Sequence, residues 1–316
     1  MNSAPWSLHL DAYLAVQRAI GKSMIAEEKL LHDFLAHCSS VQTASSGLAA
    51  MDWARTAANR FGASGETRRL RVAQGFLMFL RPLCSEPLSL PSLPRQAPRR
   101  KPPYLFSAAE TSVLLNHAQR LRPHGSLRPL TFHTILGLLA STGLRAGEAV
   151  RLGVADLRVK ADPPHLIVRE TKFRKSRIVP LHPSAVPPIK YYLTERKRRA
   201  YDALSDRVFL CHRGEPLDYW KLSGTFRTLL RQTDIQAAQG QRQPTLTSFR
   251  HSFAVNRLVA WYEAGKDVNE LMPHLSIYLG HVQPACTYWY LTATPELLSV
   301  ALNRFAQPAD QNGGAQ

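Results

Sequence analysis

Ser141-Thr142-Gly143-Leu144-Arg145-Ala146-Gly147-Glu148 is the stretch from which the rest of this chain is read. Upstream, Leu130 to Ala140 is apolar and long enough for a buried helix, and Ser141-Thr142-Gly143 breaks it. A new helix starts near Arg145, which puts a permanent cation at a sharp chain reversal. Alone, that arginine reads as a surface residue. Further upstream, Ser107-Ala108-Ala109-Glu110 is a capping box ahead of Val113, Leu114 and Leu115. Downstream the period changes. His165-Leu166-Ile167-Val168-Arg169-Glu170 and Ser176-Arg177-Ile178-Val179-Pro180-Leu181 are β-branched runs around a polar, basic turn. They predict a β-hairpin with Lys172 at or near its turn. Helices are predicted again around 184–200, 220–232 and 248–263, with shorter pieces at 267–280 and 283–290 and a last one at 295–305. The polar, Gly-rich residues 307–316 are expected to be a disordered tail.

Toward the N-terminus the 3.6-residue period predicts four short helices in the first ~80 residues. Their apolar faces are Leu10, Tyr13 and Leu14; Leu31, Phe34, Leu35 and Cys38; Ala54, Ala57, Ala58 and Phe61; and Leu70, Ala73, Leu77 and Leu80. Gly21 is placed to stop the first. Pro82, Pro87, Pro91, Pro94, Pro98, Pro102 and Pro103 then interrupt any helix and read as a semi-rigid, extended linker. The expected organisation is a helical bundle over 1–81, a Pro-rich basic linker over 82–103, a larger domain over 104–306 and the tail. The fold class is mainly α with a small antiparallel β-sheet, α+β.

The 316 residues carry 40 Lys+Arg against 23 Asp+Glu, a net charge of +17. Residues 1–95 hold 10 basic and 7 acidic side chains, while residues 96–316 hold 30 and 16, so the C-terminal part carries the surplus. Such a surplus points to a polyanion, because cations that neutralise phosphates release condensed counterions. Arg99, Arg100 and Lys101 in the linker, and Arg174 and Lys175 in the hairpin turn, are candidate DNA-backbone contacts. Glu195-Arg196-Lys197-Arg198-Arg199 is read as a solvated helix end. No run approaches the ~18 apolar residues of a membrane span, and the first residues lack a signal-peptide pattern. Cys38, Cys84, Cys211 and Cys286 are widely spaced and form no C-x-x-C pair, so a reducing cytoplasm is expected and neither zinc nor a disulfide framework is indicated. Cys286 reads as core. Carboxylates are too scarce around the motifs for a two-metal nuclease, and no metal or other cofactor is expected.

Three further fragments complete the pattern. Ser248-Phe249-Arg250-His251-Ser252-Phe253-Ala254 places a second arginine at the head of an amphipathic helix. Leu279-Gly280-His281 precedes Tyr290 by nine residues, with Thr287-Tyr288-Trp289 between them in an aromatic cluster. In order, T-G-L-R-x-x-E at 142–148, a hairpin lysine before R-I-V-P-L at 177–181, F-R-H-S-F-A at 249–254, and L-G-H at 279–281 with Tyr290 resemble the tyrosine recombinase (phage integrase) family over nearly the whole chain. The ending from Thr287 to Leu291, followed by Pro295-Glu296-Leu297, is similar to transposon-borne integrases.

The resemblance implies a core-binding (SAM-like) DNA-binding domain over 1–81 and a catalytic domain over 104–306. It also implies site-specific recombination of double-stranded DNA by a homotetramer, through a 3′-phosphotyrosine and without metal or ATP. Tyr290 is then the nucleophile, with Arg145 and Arg250 as the clamp on the scissile phosphate. Guanidinium suits that task, being permanently charged and forked to match two phosphate oxygens. A phenol of pKa about 10 needs help to lose its proton. Lys172 is the implied general acid for the leaving 5′-oxygen, preferred over Arg174 and Lys175 by its spacing from Arg177. His281 donates to the phosphate, and Glu148 holds the site in place. Trp289 packs beside the nucleophile, and the helix over 295–305 resembles the segment that family members dock into a neighbouring protomer.

One position departs from the pattern: Thr247 stands where the family usually has a histidine, three residues before the second arginine. Threonine can hydrogen-bond a phosphate oxygen but supplies no imidazole. The acceptor of the Tyr290 proton is therefore open among His281, water and the positive field. His251, about 100° around the helix from Arg250, is read as structural. Two other activities fit less well: a type IB topoisomerase, and a recombinase homologue that binds DNA with impaired catalysis.

Overall fold

The N-terminal core is built from side chains spaced three and four apart, which bring one stripe of each helix inward. The computed structural model describes residues 4–41, 45–56, 58–84, 87–93, 101–169, 176–199, 205–281, 283 and 285–293. The chain divides into two compact units, Met1–Arg100 and Lys101–Gln316. In the first, α1 (Ala4–Ser7), α2 (Leu10–Ala19), α3 (Ile25–Ser40), α4 (Ser46–Arg55) and α5 (Ala58–Leu80) enclose a core that includes Leu14, Phe34, Trp53, Phe76 and Leu77. Gly21 follows α2 in the left-handed region at φ +86°, as a helix stop requires.

The unit differs from the sequence reading in two ways. The third predicted helix, spanning Ala54 to Phe61, does not form. α4 ends at Arg55, after which the Thr56 hydroxyl donates to the Trp53 carbonyl at 2.8 Å, and Ala58 opens the 23-residue α5. Ser45 is the missed start signal for α4, since its side chain caps Leu48 N–H. The first part of the Pro-rich stretch is also no free linker. Leu88 is buried in the bundle core, and Ser89 is tied to α4: Gly47 N–H donates to its Oγ at 2.9 Å, and the Ser46 hydroxyl to its carbonyl at 2.7 Å. An extended proline-rich strand leaves its polar backbone unpaired, and these serines supply the partners.

The second unit is helical around a small sheet. Its helices are α6 (Ala108–Gln119), α7 (Arg128–Thr142), α8 (Ala146–Ala149), α9 (Val186–Arg198), α10 (Tyr219–Arg231), α11 (Leu246–Glu263), α12 (Val268–Leu279) and α13 (Ala285–Ala293). Strands β1 (Leu157–Arg158), β2 (His165–Val168) and β3 (Arg177–Pro180) pair antiparallel in that order, with Leu166 opposite Val179 and Val168 opposite Arg177. The fold class is thus mainly α with a small antiparallel sheet. The Ser107 capping box at α6 is complete in both directions. α7 buries Phe132, Ile135, Leu136, Leu138 and Leu139 and is the central helix. α11 packs on it, with Phe249 stacked on Phe106 at 4.6 Å between ring centroids. A second apolar cluster joins Val255 and Leu258 of α11, Met272 and Leu275 of α12, and Tyr290 of α13.

Two glycines fix the turns that matter for the site. Gly143 ends α7 at φ +62°, where a Cβ would lie 2.6 Å from the Phe253 ring. Gly280 ends α12 at φ +67°, where a Cβ would lie 2.9 Å from the Arg177 guanidinium. Any side chain would meet both strain and a neighbour there. The predicted helix over 295–305 and the tail lie outside the described residues.

Candidate active site

The last carbonyls of a helix have no partner within it and form the negative end of its dipole. At the C-terminus of α12 three consecutive carbonyls each take a guanidinium. Arg177 Nε donates to Tyr278 O at 2.8 Å, Arg250 Nη2 to Leu279 O at 2.5 Å, and Arg145 Nη2 to Gly280 O at 2.9 Å. Arg250 also donates from Nη1 to Gly143 O at 3.0 Å. The two glycine breaks therefore turn backbone oxygens toward the arginines, and four distant sequence motifs meet at one point.

Glu148 supplies the negative charge that three guanidiniums at one helix end require. Its Oε1 accepts from Arg145 Nη1 at 2.8 Å and its Oε2 from Arg177 Nη2 at 2.8 Å, while only 3% of the carboxylate side chain is exposed. Burial alone would raise its pKa, but hydrogen bonds and charge from Arg177, and then Arg145, bring it down to about 2. It is not an ordinary helix-surface carboxylate. Arg177 is a site residue that the motif reading quoted without assigning a role. Strand alternation held the signal: Arg177 and Val179 share the inward face of β3. Arg250 is buried, and desolvation followed by the charge of Arg145 lowers its pKa to about 10. It stays a cation at neutral pH. Arg145 keeps 40% of its side chain exposed, so its charge remains accessible from solvent.

Tyr290 sits beside this seam with 2% of its surface exposed. Burial raises its pKa, and Arg250 and Arg145 pull the other way by charge. Its hydroxyl lies 3.0 Å from His251 Nδ1, and the two rings meet edge to face at 5.5 Å. His251, read from the sequence as structural, thus touches the hydroxyl of Tyr290. A residue 100° from Arg250 on a helical wheel is adjacent to it, not opposite. A phenol seated over the groove between neighbouring side chains is within reach of both. Burial, then Arg250 and Arg242, lower the pKa of His251 to about 4, so its imidazole is neutral at pH 7.

His281 Nδ1 lies 2.6 Å from the hydroxyl of the fully buried Thr287, and its ring stacks near Tyr290 at 6.4 Å between centroids. When Thr287 donates to Nδ1, the proton of the neutral ring is on Nε2, the nitrogen free to donate outward. Burial and then Arg250 and Arg145 lower the pKa of His281, also to about 4. Thr287 was passed over as part of an aromatic cluster, and no local signal marks it. Trp289 packs 5.5 Å from Tyr290. Cys286 is exposed, not core: the buried face of this turn of α13 belongs to Thr287 and Tyr290.

Thr247 is exposed on the first turn of α11, one turn before Arg250. Lys101 is exposed as well. Lys172, Arg174, Lys175, Arg99 and Arg100 lie outside the described residues. The 195–199 run is used within the chain: Arg196 is buried and donates to Arg207 O at 2.9 Å, and Arg198 and Arg199 pair with Glu195.

Residues 106–296 match the sequence model of the phage integrase family. A putative integrase/recombinase, y4rB, of Sinorhizobium fredii is 36% identical over 302 residues, covering 93% of this chain and 95% of that protein. The tyrosine recombinase XerC 2 of Ralstonia nicotianae is 30% identical over 70% of this chain and 57% of its own length. Among solved structures, the Tn1549 transposon integrase in complex with transposon right end DNA aligns with a TM-score of 0.63 at 15% identity, over 94% of this chain and 99% of that one. A lambda integrase dimer bound to a COC′ core site aligns with a TM-score of 0.63 at 16% identity, over 90% and 96%. At those identities the structures speak for the fold, and the family follows from the sequence match and the 36% identical relative: the chain belongs to the phage integrase, or tyrosine recombinase, family.

Proposed function

We propose that this protein is a site-specific DNA recombinase of the integrase type, which cuts and rejoins duplex DNA through a 3′-phosphotyrosine on Tyr290. The observation that carries this reading is the phenol hydroxyl held against His251 beside two anchored guanidiniums. A phosphodiester resists attack because its non-bridging oxygens gain negative charge in the pentacovalent transition state. Arg145 and Arg250, fixed in advance by backbone carbonyls, meet that charge with no reorganisation at the moment of reaction. His281 donates to the same phosphate from the nitrogen opposite Thr287, and Thr247 adds a hydroxyl. Lys172 protonates the leaving 5′-oxygen. The phosphotyrosine keeps the energy of the broken ester bond, so rejoining needs neither ATP nor metal.

The remaining positive charge, with Lys101, Arg99, Arg100, Arg174 and Lys175, grips the DNA backbone irrespective of sequence. The N-terminal bundle over 1–81 serves as the core-binding domain and 104–306 as the catalytic domain. Four protomers hold two DNA sites, since each cuts one strand. The free thiols suit the reducing cytoplasm. The test is a plasmid carrying two target sites: recombinant circles support the reading, while relaxation alone supports a type IB topoisomerase. Chelator should leave cleavage unchanged.

A further inference from the structure

Thr247 leaves this chain without the histidine that stands before the second arginine elsewhere in the family, and the proton of Tyr290 needs another acceptor. We propose that His251 is that acceptor: its Nδ1, 3.0 Å from the Tyr290 hydroxyl, takes the phenol proton as the nucleophile attacks.

This rests on the recombinase reading of Tyr290 and deepens it. Thr247, His281 and His251 are the candidate acceptors, and chemistry and geometry separate them. Thr247 is a hydroxyl and no base near neutral pH. His281 has its Nδ1 occupied by Thr287 at 2.6 Å and stacks on the phenol ring instead of meeting its oxygen. His251 alone of the three is at hydrogen-bond distance from the reacting atom. Arg250 acts on the phenol oxygen by its charge and as a donor, and both favour the phenolate. A guanidinium only donates, so the phenol proton is directed at His251, whose Nδ1 then accepts and whose Nε2 carries the ring proton.

The groups facing His251 are Arg250 on its own helix, Arg242 on the preceding loop, His281 beyond the end of α12, and Tyr290 with Trp289 on α13. Without DNA this surround is positive and holds the imidazole neutral, ready to accept. A phosphodiester bound at Arg145 and Arg250 brings a negative charge into the same space and raises the proton affinity of the ring. Proton transfer is thereby coupled to DNA binding. In the forward step the O–H bond of Tyr290 breaks and its proton goes to Nδ1. The phenolate oxygen bonds to phosphorus, and the bond from phosphorus to the 5′-oxygen breaks with protonation by Lys172. In rejoining, the 5′-hydroxyl attacks phosphorus as its proton passes to Lys172, the bond from phosphorus to Tyr290 breaks, and His251 returns its proton to the departing phenolate.

The experiment measures single-turnover formation of the covalent adduct on a nicked suicide duplex selected from a randomised pool. His251→Asn keeps a hydrogen-bonding group near the Nδ1 position but takes up no proton. It should slow adduct formation by about 10²- to 10³-fold, in the range of general-base catalysis, with DNA affinity and melting temperature unchanged. His251→Ala should be slowed similarly and be partly restored by added imidazole. Wild-type rates in His251→Asn, or an Ala defect that Asn repairs and imidazole does not, would assign His251 to positioning and overturn the proposal. If the wild-type protein forms no adduct on any duplex of the pool, the recombinase reading itself fails. That outcome is distinct from a normal wild type with an unaffected Asn variant.

Discussion

The arginine seam at the end of α12 and the phenol pocket beside it are built from adjoining residues, yet they hold charge in opposite ways. In the seam, Arg145, Arg177 and Arg250 are fixed cations, each donating to a backbone carbonyl, with Glu148 buried between two of them. In the pocket, Tyr290, His251 and His281 are all neutral at pH 7 and differ only in where their protons lie. In the proposed reaction, permanent charge meets the phosphate and mobile protons meet the bonds being made. The two regions are linked: burial and then the neighbouring cations keep the imidazoles neutral, and a neutral imidazole can accept a proton.

The comparison breaks most severely at Arg250. Arg250→Ala removes a buried cation and leaves the Gly143 and Leu279 carbonyls unpaired. Adduct formation should fall by about 10³-fold or more, near the upper end for one preorganised donor. Arg250→Lys should recover little, because an ammonium does not reproduce the fork that spans both carbonyls. A surviving rate in single-turnover assays would mean that the seam is structural. Next is Glu148→Gln, which strips the charge between Arg145 and Arg177. Urea unfolding should show a loss of about 3 kcal/mol, the usual cost of breaking a buried ion pair from one side.

Acid separates the two regions by pH. His251 and His281 have folded pKa values of about 4, below the unfolded value of about 6.5, so the unfolded chain binds more protons in that interval. Stability should fall as pH drops from about 6.5 to 4, which is the pocket's contribution. Glu148 has a folded pKa of about 2, so its contribution is complete above about pH 4.5 and lost as pH falls toward 2. Urea midpoints across pH should therefore show the upper phase vanish in a His251→Asn, His281→Asn double variant, and the lower phase shrink in Glu148→Gln. The smallest effect sharpens the pocket alone. Thr287→Val keeps the shape of its side chain but frees His281 Nδ1, and adduct formation should slow by about tenfold, the equivalent of one hydrogen bond.

What the sequence revealed follows the same division. Arg145, Arg250, His281 and Tyr290 were legible because each lies in a short local pattern: a glycine break, a helix head, or a fixed interval. Glu148 was legible as a neighbour of Arg145, though its burial was not. Arg177, His251 and Thr287 act across elements. Arg177 meets Tyr278 O 101 positions away, and His251 meets Tyr290 39 away. Periodicity says which face a residue occupies and nothing of what stands opposite. For His251 it gives the wheel position beside Arg250 and not the contact with Tyr290. The helical and hairpin pattern of the C-terminal unit was readable because apolar spacing and glycine stops act locally. The boundary between α4 and α5 was not, since alanines at 54, 57 and 58 continue one apolar period straight through the break.

The central claim, covalent catalysis by Tyr290, is tested most directly by one measurement. Protein is incubated with a labelled suicide duplex, denatured in detergent and resolved by gel, with the attachment site mapped by mass spectrometry of the digested adduct. The account predicts a detergent-stable adduct carrying DNA through a 3′-phosphate on Tyr290, absent from Tyr290→Phe although that variant binds DNA as the wild type does. An adduct of undiminished yield from Tyr290→Phe, or attachment mapped to another residue, would contradict it.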